Sequence, residues 1–212
     1  MLFTVMYKFA MENDICSKDY AQYVDINQYK ERNPNAFNRK PFTTKEVETV
    51  WKWKDTSEYI TVILMLIYTG CRISELLDLK KENVNLQERR FFIKASKTES
   101  GVRKTLIALK VLPYFEYWYN KNDCEYLIST PDAKHFEYRN YYDSYWTPFV
   151  DQMGMPGHRP HDTRPTCISM LTAAGIDDKI IKKIVGHKGK SVTEIVYTHF
   201  EMQQLIDAID KI

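Results

Sequence analysis

The sequence predicts a mostly helical α+β protein with one small antiparallel β-sheet. Apolar residues recur at helical spacing through most of the 212-residue chain. The period changes only at the runs RRFFIKAS (89–96) and RKTLIAL (103–109), which the Gly-containing segment KTESGV separates. Two β-rich runs joined in this way predict a hairpin. Apolar residues make up 44% of the chain, so a buried core is expected.

The first forty residues predict a helix followed by a linker. Residues 1–13 carry apolar side chains at helical spacing, whereas residues 31–41 are polar and contain two prolines. A helix that opens at the first residue without a capping residue is typical of a chain that starts inside a domain. We therefore expect residues 1–40 to be the end of a truncated domain plus its linker.

Helix start and stop signals divide the residues after the linker. Thr43 followed by Glu46 forms a capping box, which predicts a helix from this point. The run 57–69 is the most apolar segment and predicts a buried central helix, with Gly70 at its C′ position. Further helices are predicted at residues 72–80, 111–120, 136–153, 163–174, 177–185, 192–199 and 201–211.

Composition excludes several classes of protein. The sequence has no run of eighteen apolar residues and no signal-peptide pattern, so no membrane span is expected. Four scattered cysteines without a CxxC pair predict reduced thiols in a cytoplasm. Residues 156–190 hold seven Arg or Lys and three Asp, a net charge of +4, while the rest of the chain is at −2. This local excess is typical of a phosphate-facing surface, although a solvated helix face has the same pattern.

Arg72 is the first candidate site residue. It follows the Thr69-Gly70 turn at the start of a predicted helix, where a guanidinium projects beside free backbone N–H groups. Both features favour a phosphate. Glu75 lies one turn later and could pin Arg72, although a surface ion pair would show the same spacing.

The segment HRPHDTRPTC supplies the second group of candidates. If it is helical, His161 and Arg164 share a face. His158 and His161 also have H-x-x-H spacing, which is compatible with zinc. A zinc site needs three or four ligands, and only Asp162 and Cys167 are nearby, so no metal is expected.

Lys97 and Tyr197 complete the candidates. Lys97 stands at the mouth of the predicted hairpin turn, where a lysine can reach into a groove or simply aid solubility. Tyr197 lies on a short helix predicted by the capping box of Ser191 and Glu194. A free phenol has a pKa near 10, so it needs a proton acceptor such as His161 or His187 to act as a nucleophile. A packed aromatic residue is the alternative.

Taken together, these motifs resemble the tyrosine recombinase (phage integrase) family. The arginine of TGCRISELLDL, a hairpin lysine, H-x-x-R, G-H and Y-T-H occur in the family's order over roughly residues 41–200. The stretch HDTRPTCISMLTAAGIDDKIIKKIVGHKGKSVTEIVYTHF resembles integrases of temperate phages and conjugative transposons of Gram-positive bacteria. The resemblance implies a helical catalytic domain over residues 41–200 that follows a core-binding domain.

The resemblance implies how the central residues act. Arg72 and Arg164 would clamp the non-bridging oxygens of one DNA phosphate. Tyr197 would attack that phosphorus to give a 3′-phosphotyrosyl link and a free 5′-hydroxyl. Two fixed cations would offset the charge of the transition state, and the covalent bond would store the phosphodiester energy. No metal, ATP or other cofactor is therefore expected.

The resemblance also implies supporting roles. Lys97 would protonate the leaving 5′-oxygen, His161 would act as general base or acid, and His187 would donate a hydrogen bond to the phosphate. Glu75 would support the site without contacting the phosphate itself. Further DNA contacts are expected from Lys94, Arg103, Arg159, Lys188 and Lys190.

Two departures from the family pattern are visible. Pro165 stands where the family usually has histidine, and proline disfavours α geometry in the residue before it. A helix that starts at Pro165 would leave Arg164 usable at the cap, whereas an earlier start would misaim it. The spacing from His187 to Tyr197 is also one residue longer than in many members, which the turn after His187 would absorb.

The expected function is that of a site-specific DNA recombinase on a double-stranded attachment site. It would work in the cytoplasm of a bacterial host as a tetramer on DNA, with a monomeric fragment in isolation. The C-terminal helix, residues 201–212, has an apolar stripe suited to docking in a neighbouring subunit or to packing on its own. A type IB topoisomerase and a non-enzymatic helix-turn-helix protein, built on residues 166–186, are the alternatives.

Overall fold

The computed structural model describes residues 2–25, 40–94, 103–186 and 202–212. The chain forms two compact units, Met1–Asn38 and Arg39–Ile212. Helix α1 (Leu2–Glu12) and a 3-10 turn (Tyr20–Tyr23) belong to the first unit. No helix in the described ranges is long and apolar enough to cross a membrane.

Helix α3 (Glu58–Thr69) is the centre of the second unit. Ser57 caps its start, and Gly70 ends it in the left-handed conformation at φ 62°. All but the first of its residues are buried, as the apolar run predicts. Helix α2 (Thr44–Trp53) precedes it and opens on the predicted capping box: Thr43 N–H donates to Glu46 Oε2 at 2.6 Å, and Glu46 N–H donates to Thr43 Oγ1 at 3.3 Å.

The other helices lie close to their predicted positions. A π-helical segment, Tyr142–Trp146, joins α6 (Tyr138–Tyr141) to α7 (Thr147–Gln152), so the predicted helix at 136–153 is continuous but not regular. The bounds are α4 Ile73–Leu77, α5 Leu112–Asn120, α6 Tyr138–Tyr141, α7 Thr147–Gln152, α8 Thr163–Ala173, α9 Asp178–Val185 and α10 Met202–Ile209. The helix predicted at 192–199 lies outside the described residues.

The predicted hairpin is present as part of a three-stranded antiparallel sheet. Strand β1 (Val84–Asn85), which the sequence did not predict, pairs with β2 (Arg90–Ile93), and β2 pairs with β3 (Arg103–Leu106). In this register Ile93 lies opposite Arg103. The hairpin turn lies outside the described residues.

The C-terminal helix α10 packs on its own chain, against α9 and β3. Leu205 and Ile209 are buried there. The Arg89 guanidinium donates to both carboxylate oxygens of Asp210, at 2.9 and 2.8 Å, and Asp210 also accepts the backbone N–H of Leu109 at 2.9 Å. Helix α10 therefore packs within its own subunit, which is one of the two predicted alternatives. Docking of α10 in a neighbouring subunit stays a prediction.

Candidate active site

Arg72 and Glu75 form the first half of the candidate site. Arg72 is the extended residue directly before α4, and its backbone N–H donates to Glu75 Oε2 at 2.9 Å. Its Nη1 donates to Glu75 Oε1 at 2.6 Å. The Arg72 side chain is 37% exposed, whereas that of Glu75 is only 4% exposed. The carboxylate therefore fixes Arg72 from the interior side and leaves the guanidinium open on its outer side.

Arg103, on β3, is a second guanidinium on the same carboxylate. Its Nη1 lies 3.1 Å from Glu75 Oε1, and its Nη2 lies 2.9 Å from Glu75 Oε2. Burial alone would raise the pKa of Glu75. The hydrogen bond from Arg103, the backbone N–H of Arg72 and the charge of Arg103 outweigh burial and hold this pKa below its ordinary value. Glu75 is therefore ionised at neutral pH.

Arg164 brings a third guanidinium to this place from a distant part of the chain. Its Nη1 donates to the backbone carbonyl of Gly70 at 2.8 Å, two residues before Arg72. The residue is 3% exposed, and burial lowers its pKa to about 10, with the charges of Arg103 and Arg72 adding to the shift. The convergence of Arg72 and Arg164 that the motif order implies is therefore present in the structure.

The buried Nη2 of Arg164 has no hydrogen-bond partner among the residues that the structure describes. An unsatisfied buried donor is costly, so native proteins rarely keep one without a reason. Three guanidiniums and one carboxylate leave this cluster with a net charge of +2. Such a cluster is suited to an anion with several oxygens, because guanidinium forks match phosphate geometry.

Pro165 lies within the first turn of α8. Helix α8 begins at Thr163, directly after the 3-10 turn Pro160–Asp162, which is earlier than the start that would place Arg164 at the cap. Proline is then the third helical residue, where its missing N–H costs nothing because the first four N–H groups of a helix have no internal partner. Arg164 still reaches Gly70. The effect of this earlier start on the aim of Arg164 toward a phosphate stays a prediction.

The segment around His161 lies beside Arg164 in the chain. His161 is half-buried within the 3-10 turn, and Arg159 N–H donates to Asp162 Oδ2 at 2.8 Å. His158 stacks on Phe42 with ring centroids 3.9 Å apart, and its Nε2 lies 3.3 Å from Glu46 Oε1. His158 thus joins this segment to the start of α2.

The remaining predicted site residues fall into two groups. Lys94 is an exposed residue directly after β2, and its Nζ lies 3.1 Å from Glu82 Oε1. The other group lies outside the described residues: Lys97, His187, Lys188, Lys190 and Tyr197.

The structure gives Arg103 a place that the sequence did not predict. A DNA contact is expected of Arg103, but its side chain is 9% exposed and lies on Glu75. Side chains alternate between the two faces of a strand, so Arg103 shares one face of β3 with the buried Thr105, two residues away. No feature of the sequence indicates that the Gly70 carbonyl accepts a hydrogen bond from Arg164.

Gly70 is under two constraints, and Gly70→Ala should be destabilising for both reasons. Its φ of 62° disfavours any side chain, and a Cβ there would lie 2.9 Å from Val185 Cγ1 and 3.1 Å from Cys167 Sγ. We expect a loss of about 2–3 kcal/mol in the free energy of unfolding, measured by urea titration. Gly175→Ala is the matched control, since Gly175 has φ 74° and its Cβ would meet no described atom within 4 Å. Equal losses in the two variants would contradict a close-packed site at Gly70.

Comparison with known proteins shows the family. Residues 40–204 match the model of the phage integrase family. Tyrosine recombinase XerC of Proteus mirabilis is 28% identical over 157 residues, which cover 71% of this chain and 50% of that protein. Tyrosine recombinase XerA of Pyrococcus furiosus is 26% identical over 205 residues, which cover 92% of this chain and 70% of that protein.

Solved structures show the same fold. The Tn1549 transposon integrase in complex with circular intermediate DNA superposes with a TM-score of 0.71 at 19% identity, covering 94% of this chain and 73% of that one. The lambda integrase catalytic core gives a TM-score of 0.55 at 16% identity, covering 73% of this chain and 95% of that one.

The fold and the arginine cluster thus define a helical domain of the integrase type with a small antiparallel sheet. The chain belongs to the phage integrase family, whose matched relatives here are tyrosine recombinases. The predictions of fold class and family are confirmed.

Proposed function

We propose that this chain is the catalytic part of a site-specific DNA recombinase that cuts and rejoins double-stranded DNA through a 3′-phosphotyrosyl intermediate at Tyr197. The observation that carries the proposal is the meeting of Arg72 and Arg164 at one place. The hydrogen bond from Arg164 to the Gly70 carbonyl fixes the second guanidinium beside the first. The family match over residues 40–204 supports it independently.

The two guanidiniums would hold the scissile phosphate by its non-bridging oxygens. Phosphoryl transfer builds charge on these oxygens, and fixed donors in a desolvated place stabilise that charge without reorganising. Arg164 fits this task because it is buried and keeps its charge at neutral pH, its pKa of about 10 lying well above 7. Arg72 fits because Glu75 fixes its orientation.

Proton transfers on either side of the phosphorus complete the step. The phenolic oxygen of Tyr197 bonds to phosphorus and gives up its proton to a base, for which we propose His161. The bond from phosphorus to the 5′-oxygen breaks, and Lys97 protonates that oxygen. His187 donates a hydrogen bond to the phosphate. One phosphoester bond forms as another breaks, so a different 5′-hydroxyl can reverse the step and complete strand exchange.

DNA is the proposed partner because the Tn1549 integrase with the same fold was solved in complex with DNA. The duplex backbone would be contacted by Lys94, Arg159, Lys188 and Lys190. Contacts of this kind fix the register and orientation of the protein on DNA but do not read its sequence. A tetramer on DNA, with α10 docking in a neighbour, and a location in the cytoplasm of a bacterial host belong to the same proposal. Residues 1–40 would be the end of a core-binding domain and its linker.

Trapping on nicked duplexes tests the proposal. The chain is incubated with duplexes of randomised core sequence, each nicked so that the freed 5′-strand diffuses away and religation is blocked. A detergent-resistant protein–DNA band is expected, and sequencing its DNA gives the preferred site. Binding without any such band would contradict the proposal and favour the helix-turn-helix alternative.

A plasmid carrying the selected site separates recombination from DNA relaxation. With two copies of the site, the proposed function gives products in which flanking sequences have exchanged partners. Relaxed topoisomers without exchanged products would instead identify a type IB topoisomerase activity and contradict strand exchange.

A further inference from the structure

We propose that Arg103 is a positioning residue for strand cleavage: it saturates both oxygens of Glu75 so that Arg72 turns its free guanidinium nitrogens to the DNA phosphate. The inference deepens the proposed function and rests on it. It replaces the DNA contact expected of Arg103 with a role in orienting Arg72 toward the phosphate.

The hydrogen bonds of Glu75 are the first evidence. Its Oε1 accepts from Nη1 of Arg72 and from Nη1 of Arg103, and its Oε2 accepts from the backbone of Arg72 and from Nη2 of Arg103. A carboxylate has about four acceptor sites, so Glu75 is fully used. Within the described residues, Nε and Nη2 of Arg72 have no hydrogen-bond partner, and the side chain is 37% exposed.

Removal of Arg103 would change this balance. The carboxylate would keep its charge with one guanidinium beside it, and a guanidinium paired with a lone carboxylate prefers a two-bond fork. Arg72 would then turn a second nitrogen toward Glu75 and withdraw it from the outer side. The three-guanidinium cluster would also lose one positive charge beside Arg164. Both changes weaken the hold on a phosphate.

Gly186 is the second, independent observation. It ends α9 at φ 72°, and a Cβ on it would lie 2.4 Å from Cδ and 2.6 Å from Nε of Arg103. The backbone therefore lies directly on the Arg103 side chain at the last described residue before His187. Arg103 thus touches two parts of the chain that carry proposed catalytic residues: Glu75 with Arg72 on one side, and the end of α9 on the other.

Burial argues against a direct DNA contact. The Arg103 side chain is 9% exposed and already forks onto Glu75. An ion pair buried in this way gives little net stability compared with an apolar pair of the same volume. Its value here is orientation, which makes catalysis more sensitive to its loss than folding or DNA affinity.

Single-turnover cleavage of the selected nicked duplex tests the inference. Arg103→Met keeps much of the side-chain length without the charge, and we expect the rate of adduct formation at saturating DNA to fall about 10²-fold. The dissociation constant for DNA should stay within about threefold, because the weakened hold concerns one phosphate and the other contacts to the duplex backbone are kept. The double variant Glu75→Gln with Arg103→Met should regain at least about tenfold, because the unbalanced carboxylate is gone.

The matched control is Arg89→Met, which breaks another partly buried arginine–carboxylate pair, in which Nη1 of Arg89 donates to both oxygens of Asp210, neither of which bonds to the cluster. It should lower the thermal midpoint with no change in the cleavage rate of the folded protein. An unchanged rate in Arg103→Met would overturn the inference. A weaker DNA affinity with an unchanged rate at saturation would show a DNA contact instead. Equal rates in Arg103→Met and the double variant would show that the unbalanced carboxylate of Glu75 is not the cause of the loss, and would also overturn the inference.

Failure of the proposed function is distinguishable from failure of this inference. If the unsubstituted chain forms no adduct, the proposed function is wrong, and inorganic phosphate then serves as the probe. Phosphate should raise the thermal midpoint of the unsubstituted chain and of the double variant but not that of Arg103→Met. Equal stabilisation of all three would overturn the positioning role.

Discussion

Tyr197→Phe is expected to abolish the covalent protein–DNA product. The substitution removes only the oxygen that bonds to phosphorus, so the rate of adduct formation should fall below detection, at least about 10³-fold. DNA affinity should stay within about twofold, because the guanidiniums that hold the phosphate are intact. Gel analysis of the nicked duplex under denaturing conditions measures the product, and a native gel measures binding.

Tyr117→Phe is the matched control for this loss. Tyr117 is 48% exposed on α5 and donates its hydroxyl hydrogen bond to Glu58, so its removal costs a surface contact only. The control should form adduct at the rate of the unsubstituted chain. An adduct of normal yield in Tyr197→Phe would show that another residue is the nucleophile.

Arg164→Lys is expected to slow adduct formation about 10²- to 10³-fold at saturating DNA. Arg164 uses Nη1 on the Gly70 carbonyl, and its Nη2 is the donor that the phosphate would satisfy. A lysine keeps the positive charge, but its single nitrogen cannot serve both acceptors in this buried place. Charge alone is therefore not sufficient at this position.

The control for Arg164→Lys is the same exchange at Arg139, which is 82% exposed and pairs with Asp143 on the surface. Arg139→Lys should leave both the cleavage rate and the thermal midpoint unchanged. Thermal unfolding of Arg164→Lys shows whether the loss of rate follows loss of fold. A folded Arg164→Lys variant with more than half of the normal rate would contradict the fork geometry.

Local signals predicted most of the fold. The capping box of Thr43 and Glu46 and the C-terminal Gly70 are decided by residues three or four apart, so the sequence shows them directly. The helix predicted at 72–80 ends earlier, at Leu77, because later backbone groups pair with a distant segment. Leu127 N–H donates to Leu79 O at 2.7 Å, and Lys81 N–H donates to Glu125 O at 2.9 Å. Such long-range pairs have no local signal.

The sequence predicts which residues belong to the candidate site better than it predicts which of them contact one another. Motif order identified Arg72, Arg164 and Glu75, and the structure brings them together. The DNA contact expected of Arg103 disagrees with the burial of its side chain. The charge of a residue does not show which face of a strand it takes. Alternation along β3 puts Arg103 on the same face as Thr105, but a shift of one residue in register reverses which face is buried, so the tertiary structure is needed to decide between the two faces.

A structure of the Tyr197→Phe variant on an intact duplex of the selected site tests the central claim most directly. We predict that non-bridging oxygens of one phosphate lie about 3 Å from guanidinium nitrogens of both Arg72 and Arg164. The ring of residue 197 should face the same phosphorus. Two different phosphates held by the two arginines, or a scissile phosphate that neither arginine touches, would contradict it.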